Sequence, residues 1–337
     1  MSASLKDIAN RLGVSKTTVS WVLSGKGDER SISKQMQAKV YECAEELQYT
    51  PNTLARSLNT GVSKTIGLIV PSISDSFYSN IANIIEKEAR NAGYTLMIAS
   101  SNTDEVKEDE LIKVYEEKQV DGVIIAPTKL SKTGIERLIS RNIPLVFVDR
   151  YYPELCVSSV IIDNENASYR LVRQLIEKGR KKIAIVTTKS YILTMDLRTK
   201  GYMRALEESG ISFDEDLYCE VPFDDYQQEI IPMLDNMFRN HPDIDGIFFA
   251  SHILLIEALN YFMLSHISLT DGHISLASMR TEKLLRGIAP DLSIAHFPEE
   301  DIGRNAVRIL LDHIDSKRNG KAFQRESLIL SCDIDCI

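Results

Sequence analysis

Lys16, Thr17, Ser20 and Trp21 recur at intervals that leave them on one outward face of a short helix. An ammonium, two hydroxyls and an indole N–H make or break no covalent bonds from such a face. They donate and accept hydrogen bonds, and a helix carrying them can read base edges in a major groove. Bond-making chemistry is harder to find. The chain has no phosphate-cradling P-loop, no dinucleotide fingerprint, no GxSxG turn and no His/Cys metal spacing. Its histidines lie in different segments without close partners. The five cysteines are scattered and odd in number, which fits reduced thiols, and Cys332 and Cys336 lack the second pair that a zinc site needs. No cofactor and no metal are therefore expected, and an enzyme is the remote alternative.

The elements that must hold the polar face lie in the first fifty residues. Leu5, Ile8, Ala9 and Leu12 form one apolar stripe, Gly13 can take the left-handed conformation that ends a helix, and Val14 turns back inward. The Ser15 hydroxyl can cap the next helix. In that second helix Val19, Val22 and Leu23 point to the core. Small Ala9 lets the two helices cross closely, which is helix-turn-helix spacing. A third helix, about 33–48, carries Met36, Val40, Cys43, Ala44 and Leu47 as its buried stripe.

Charge divides the chain in the same place. Residues 1–64 hold nine Lys/Arg against six Asp/Glu, while the remainder holds 30 basic and 42 acidic residues. An acidic body is repelled by phosphate, so only the head can be presented to DNA. The head's surplus is modest, and useful affinity then needs more than one head. A content of 44% hydrophobic and 26% charged residues excludes disorder. No apolar run is long enough to span a bilayer, and the amino terminus lacks the pattern of a secretory signal, so a cytoplasmic protein is expected, nucleoid-associated when bound.

From Thr65 onward apolar runs alternate with helical stripes. Strands are expected at 65–70, 94–99, 120–126 and 144–148, then near Val160, at 182–186, 217–221, 246–250, 273–277 and 293–297, with a last one at 328–330. Helices fall between them, the last about 299–316. Such alternation specifies doubly wound parallel sheets. Ligands bind such sheets at the carboxyl ends of strands, which nominates the loops after Val70, Val148, Ala250 and Ala277.

Leu5-Lys6-Asp7-Ile8-Ala9, Gly13 to Ser20, Val22-Leu23-Ser24-Gly25, Tyr49-Thr50-Pro51-Asn52, Ala55-Arg56-Ser57-Leu58 and Ile66 to Pro71 resemble the lactose-repressor (LacI/GalR) family of bacterial transcription regulators. The resemblance runs along essentially the whole chain. It implies an all-α helix-turn-helix head and a body of two doubly wound parallel-sheet lobes, like the periplasmic sugar-binding proteins. Residues 1–50 would be the DNA-binding domain, 51–64 a hinge helix and linker, and 65–337 the effector-binding and dimerisation domain. Lobe 1 would take about 65–162 and 291–323, and lobe 2 about 163–290 and 324–337. The chain would cross between lobes near Asp163, Pro290 and Phe323. In the major groove the resemblance places Ser15, Lys16, Thr17, Ser20 and Trp21. Trp21 stands where an arginine is common; it suits a thymine methyl or sugar contact, or else packs on the loop 25–32. Ala55, Leu58 and Asn59 would serve the hinge, with Leu58 wedged into the minor groove.

For the effector the resemblance implies Phe77, Tyr78 and Arg198, and the loop after Val148 adds Asp149 and Arg150. Two positions depart from the family pattern. Ser251 and His252 replace an Asn-Asp pair, and Arg280 stands where an aspartate accepts sugar hydroxyls. The departures predict a pocket short of carboxylates and rich in guanidinium, suited to a sugar phosphate or sugar acid, with neutral sugars as the alternative. The expected function is a homodimeric regulator that reads a pseudo-palindromic operator under control of a small sugar-like effector. Repression is the default and activation the alternative.

Overall fold

The computed structural model describes residues 3–49, 61–128, 130–189, 193–223, 225–281, 285 and 287–335. The chain divides into two compact units, residues 1–63 and 64–337. Among the described residues the first contains three helices: α1 (Leu5–Leu12), α2 (Lys16–Leu23) and α3 (Lys34–Glu46). Asp7 closes the start of α1 by accepting the Ser4 N–H at 2.8 Å, and Gly13 ends the helix at φ 67°. The Ser15 hydroxyl caps α2 by accepting the Thr18 N–H at 3.0 Å, and Ser33 caps α3 through Met36 N–H. Ile8, Ala9, Val19, Val22, Val40, Cys43 and Ala44 form the core. Tyr41 of α3 donates its hydroxyl to the Val22 carbonyl at 2.8 Å, fixing the end of α2. The connection between α2 and α3 is held from within. Asp28 accepts from Lys34 Nζ at 2.7 Å and Gln37 Nε2 at 2.8 Å, and the same Gln37 nitrogen donates to the Ile32 carbonyl.

Among the described residues the second unit holds two six-stranded sheets. In chain order its elements are β1 (Thr65–Val70), α4 (Ser76–Asn91), β2 (Thr95–Ser100), α5 (Glu105–Glu117), β3 (Gly122–Ile125), α6 (Thr133–Ser140), β4 (Leu145–Val148) and β5 (Ser158–Ile162). Then come α7 (Asn164–Glu177), β6 (Ile183–Lys189), α8 (Leu193–Glu208), β7 (Tyr218–Pro222), α9 (Tyr226–Asn240), β8 (Gly246–Phe249), α10 (His252–Leu264) and β9 (Ser275–Met279). The chain finishes with β10 (Ser293–His296), α11 (Glu299–Arg318), β11 (Ser327–Leu330) and β12 (Asp333–Ile334). The first sheet has the order β11-β5-β4-β3-β1-β2 and the second β12-β10-β9-β8-β6-β7. Every pairing is parallel except β10 with β12. Central strands such as β3, β4 and β8 are buried along their length, as sheets covered on both faces require. Among the described residues no helix is long and apolar enough to cross a membrane.

The chain first passes between the sheets after β5 and before β6. The other two crossings do not fall where the sequence placed them. β10 belongs to the second sheet, pairing Ser293 with Ala277, so the chain returns to the first lobe after His296 and not at Pro290. Asp291 is tied down within the second lobe by Lys178 and Ser275. β11 belongs to the first sheet, pairing Ser327 with Ser159, so the last crossing follows Leu330 and not Phe323. An apolar run announces a strand. Which sheet it joins is set by pairing with residues more than a hundred positions away in the case of β11, and periodicity carries no record of that.

Candidate functional site

In the first unit Ser15, Lys16, Thr17 and Ser20 are exposed on α2. The Ser15 hydroxyl also serves as the helix cap. Trp21 is half-buried. The Arg30 guanidinium lies over its ring, 4.9 Å from the centroid. Its carbonyl is fixed by Lys26 N–H at 2.8 Å and by the Ser24 hydroxyl at 3.1 Å. The loop 25–32 therefore touches the outward face of α2 through Arg30, a residue the sequence reading did not single out. Cation–π pairing of this kind is worth about 0.5–1 kcal/mol at an exposed site, enough to bias the two side chains together. Ala55, Leu58 and Asn59 lie outside the described residues.

In the second unit Phe77, Tyr78, Asp149, Arg150, Arg198, Ser251, His252 and Arg280 all line one cavity of about 550 Å³. They come from the carboxyl ends of strands in both sheets: β1 and β4 of the first, and β8 and β9 of the second. Arg198 arrives on α8. Asp75, Tyr226 and Phe297 complete the walls and were not foreseen. Asp75 is the N-cap of α4, accepting from Phe77 N–H at 2.8 Å.

Arg198 is buried, and burial holds its guanidinium below the ordinary value. Its Nε donates to Asn164 Oδ1 at 2.8 Å and its Nη1 to the Ala250 carbonyl at 2.7 Å, both neutral acceptors. Close helix packing sets this geometry. At Gly201 of α8 a side chain would begin 2.2 Å from the Glu165 carbonyl of α7, so only glycine lets the two helices lie at this distance. Gly201 is therefore a packing residue that positions Arg198. Opposite, Tyr78 donates to Asp149 Oδ2 at 2.7 Å, and burial first, with the nearby carboxylates, keeps the phenol well above its ordinary range. Asp149 adopts φ 61°, and Arg150, which follows it, also lines the cavity. Arg150 Nε lies 3.7 Å from Asp149, while its Nη1 is buried with no hydrogen-bond partner.

The expectation of three guanidiniums free to grip an anion needs correction at Arg280. Its Nε donates to Glu299 Oε1 at 2.7 Å and its Nη1 to the Ser76 hydroxyl at 3.0 Å. Both partners begin helices packed on the first sheet, whereas Arg280 follows β9 of the second. The residue is a bridge between lobes. His252 makes a second bridge, its Nε2 3.5 Å from Asp75 Oδ1. Burial pushes Asp75 up, but the His252 hydrogen bond and charge outweigh it and leave the carboxyl below its usual range. Nor is the cavity short of carboxylates, since Asp75 and Asp149 both line it.

Residues 4–52 match the model for bacterial regulatory proteins of the lacI family, and residues 63–253 match that for periplasmic binding proteins and the sugar-binding domain of the LacI family. The chain belongs to the LacI family. It is a DNA-binding transcriptional regulator and not an enzyme, with a helical head and a two-lobed, periplasmic-binding-protein-like body. Among relatives of this LacI-family chain, the probable transcriptional regulator EndR of Paenibacillus polymyxa is 29% identical over 320 residues, covering 94% of this chain and 92% of the relative. The transcriptional repressor PurR of Photobacterium profundum is 28% identical, covering 94% and 93%. In fold the chain is similar to the lac repressor dimer bound to operator and an anti-inducer, with a TM-score of 0.83 at 20% identity over 100% of this chain and 98% of that one. The regulator CelR in complex with cellobiose gives 0.72 at 22% identity over 99% and 98%.

Proposed function

We propose that this regulator is a homodimeric repressor whose grip on a pseudo-palindromic operator is set by a small metabolite held between the two lobes. The observation that carries the reading is a cavity lined from both sheets. Anything bound there touches both lobes and so favours one lobe angle over another. A volume of about 550 Å³ lies within the range of small-molecule sites. Coupling through such a two-state element is typically worth ~1–3 kcal/mol, or roughly 5–150-fold in operator affinity. Two heads spaced about one DNA turn apart would read the two half-sites, with Lys16, Thr17 and Ser20 at base edges and Ser15 at the helix start. Such a protein works where the bacterial genome is, in the cytoplasm.

The effector in this reading is a sugar-sized polyol that carries one anionic group, a carboxylate or a phosphate. Supporting it are the unpartnered Arg150 Nη1 and Arg198, which has only neutral acceptors. Asp75, Asp149 and Tyr78 offer oxygens for hydroxyl groups. Buried donors left without acceptors cost roughly 1–3 kcal/mol each, which a ligand oxygen recovers. Calorimetry with matched neutral, phosphorylated and acid forms of the same sugars tests the charge. The anionic members should bind more tightly, and tighter binding of the neutral sugars would remove the anionic assignment while leaving the regulator itself intact.

A further inference from the structure

The last two turns of α11 border a second cavity, of about 400 Å³, on the first lobe. It lies among the end of α6, the starts of β4 and β5, and the segment after α11, and shares no lining residue with the cleft. Its floor is apolar, built from Ile139, Ile143, Leu145 and Val157. Phe323 forms one wall and stacks flat on the His313 imidazole, ring centroids 4.2 Å apart and planes inclined by 6°. The basic side chains at this cavity are Lys317, Lys321 and Arg325, and no Asp or Glu is among its lining residues.

Two observations separate this cavity from an ordinary solvated surface. The first concerns the cations. Elsewhere on α11 the arginines are matched: Arg304 to Glu300 at 2.6 Å, Arg308 to Glu326 at 2.7 Å and Arg318 to Asp121 at 2.7 Å. Lys317 and Lys321 enter no ion pair among the described residues, and Arg325 meets only the Ser327 hydroxyl. The second concerns His313. Its Nδ1 is buried and finds no hydrogen-bond partner. Buried polar atoms are nearly always satisfied, so an Nδ1 without a protein partner at the edge of this cavity offers a hydrogen bond to a ligand atom. Burial, and then the charge of Lys317, holds His313 below its ordinary value.

We propose that this cavity is a second small-molecule site, distinct from the interlobe cleft, for an anion with a flat apolar body: an aryl carboxylate or aryl phosphate. The body would lie on the apolar floor and against Phe323. The oxyanion would meet Lys317, Lys321 and Arg325, where charge-assisted bonds are roughly twice as strong as neutral ones.

Cys156 supplies the readout. It is exposed and lines this cavity, whereas Cys43, Cys219 and Cys332 are buried. Alkylation of Cys156 in the full chain by an uncharged maleimide, located by peptide mass, is followed in the presence of benzoate, phenyl phosphate or neutral benzyl alcohol. One or both anions should slow the reaction about tenfold once roughly nine-tenths of the sites are filled. Benzyl alcohol should not. The head group that protects at lower concentration identifies the class. The surface variant Lys317→Ala/Lys321→Ala should lose protection, and Lys317→Arg/Lys321→Arg should keep it. Equal protection by benzyl alcohol, undiminished protection in the double alanine variant, or no protection by either anion would each overturn the proposal.

Discussion

Replacing Arg280 by methionine should let the two lobes part. Methionine keeps the apolar length of the side chain but cannot bond, and the backbone strain at φ 56° is the same for both residues. The native side chain is 8% exposed and donates to Glu299 and to Ser76, both on the opposite lobe. A hydrogen bond from a guanidinium contributes about 1.5–3 kcal/mol, and the half-buried Ser76 hydroxyl can re-bond to water once the donor is gone. Glu299 keeps its bond from Asn80 Nδ2 at 2.9 Å and is 21% exposed, so water recovers part of the loss. The net change is then about 2 kcal/mol against the closed arrangement, or about 30-fold in the ratio of closed to open molecules. Interlobe distances from one spin label on each lobe measure that ratio directly. The double variant Arg280→Met/Glu299→Gln separates a specific bridge from a general loosening. It should recover much of the closed fraction, because no carboxylate is left uncompensated. Unchanged distance distributions in Arg280→Met, or strictly additive effects in the cycle, would refute the bridge.

Other consequences follow from single contacts. Arg30→Ala should weaken binding to all duplexes about equally and lower the salt slope by about one, whereas Trp21→Arg should alter base preference at symmetric positions of the two half-sites; a selection experiment on random duplexes that shows neither would retire the pairing of these residues at the interface. Glu108 is buried, and burial pushes its carboxyl up to about 7 despite two bonds from Thr128. The native state therefore holds a proton that the unfolded chain has already released between its ordinary value of 4.5 and about 7, so this group costs stability as pH rises through that window. Glu108→Gln should gain on the native protein across the window, by at most ~3 kcal/mol, and parallel stability curves would count against the assignment. Gly201→Ala should cost ~1–3 kcal/mol by forcing α7 and α8 apart, and should weaken effector binding through Arg198; an unchanged melting temperature would contradict the packing argument.

The head was legible because its signals are local. Gly13, Ser15 and the stripe Ile8, Ala9, Val19 and Val22 act within one or two helical turns, and the structure places each as its spacing implies. The two sheets were legible for a related reason: strands buried on both faces must be apolar runs. What stayed hidden was decided at a distance. β10 and β11 could be seen as strands but not assigned to a sheet. Arg280 was visible as a departure, yet its partner Glu299 lies 19 positions on, across a crossing that was itself misplaced. Arg30 reaches Trp21 only because Asp28 and Gln37 fold the loop back, and no periodicity encodes that path. Asp75 was passed over because an N-cap and a cavity wall look alike in sequence.

The account turns on communication between the cleft and the duplex. The direct measurement is fluorescence anisotropy of a duplex selected from a random pool, titrated with full-length protein at fixed salt, with and without a metabolite that calorimetry has shown to bind the cleft. Affinity should shift by roughly 5–150-fold, and the duplex should shift the metabolite's affinity by the same factor. Tight, selective duplex binding that is identical with the cleft filled and empty would contradict it.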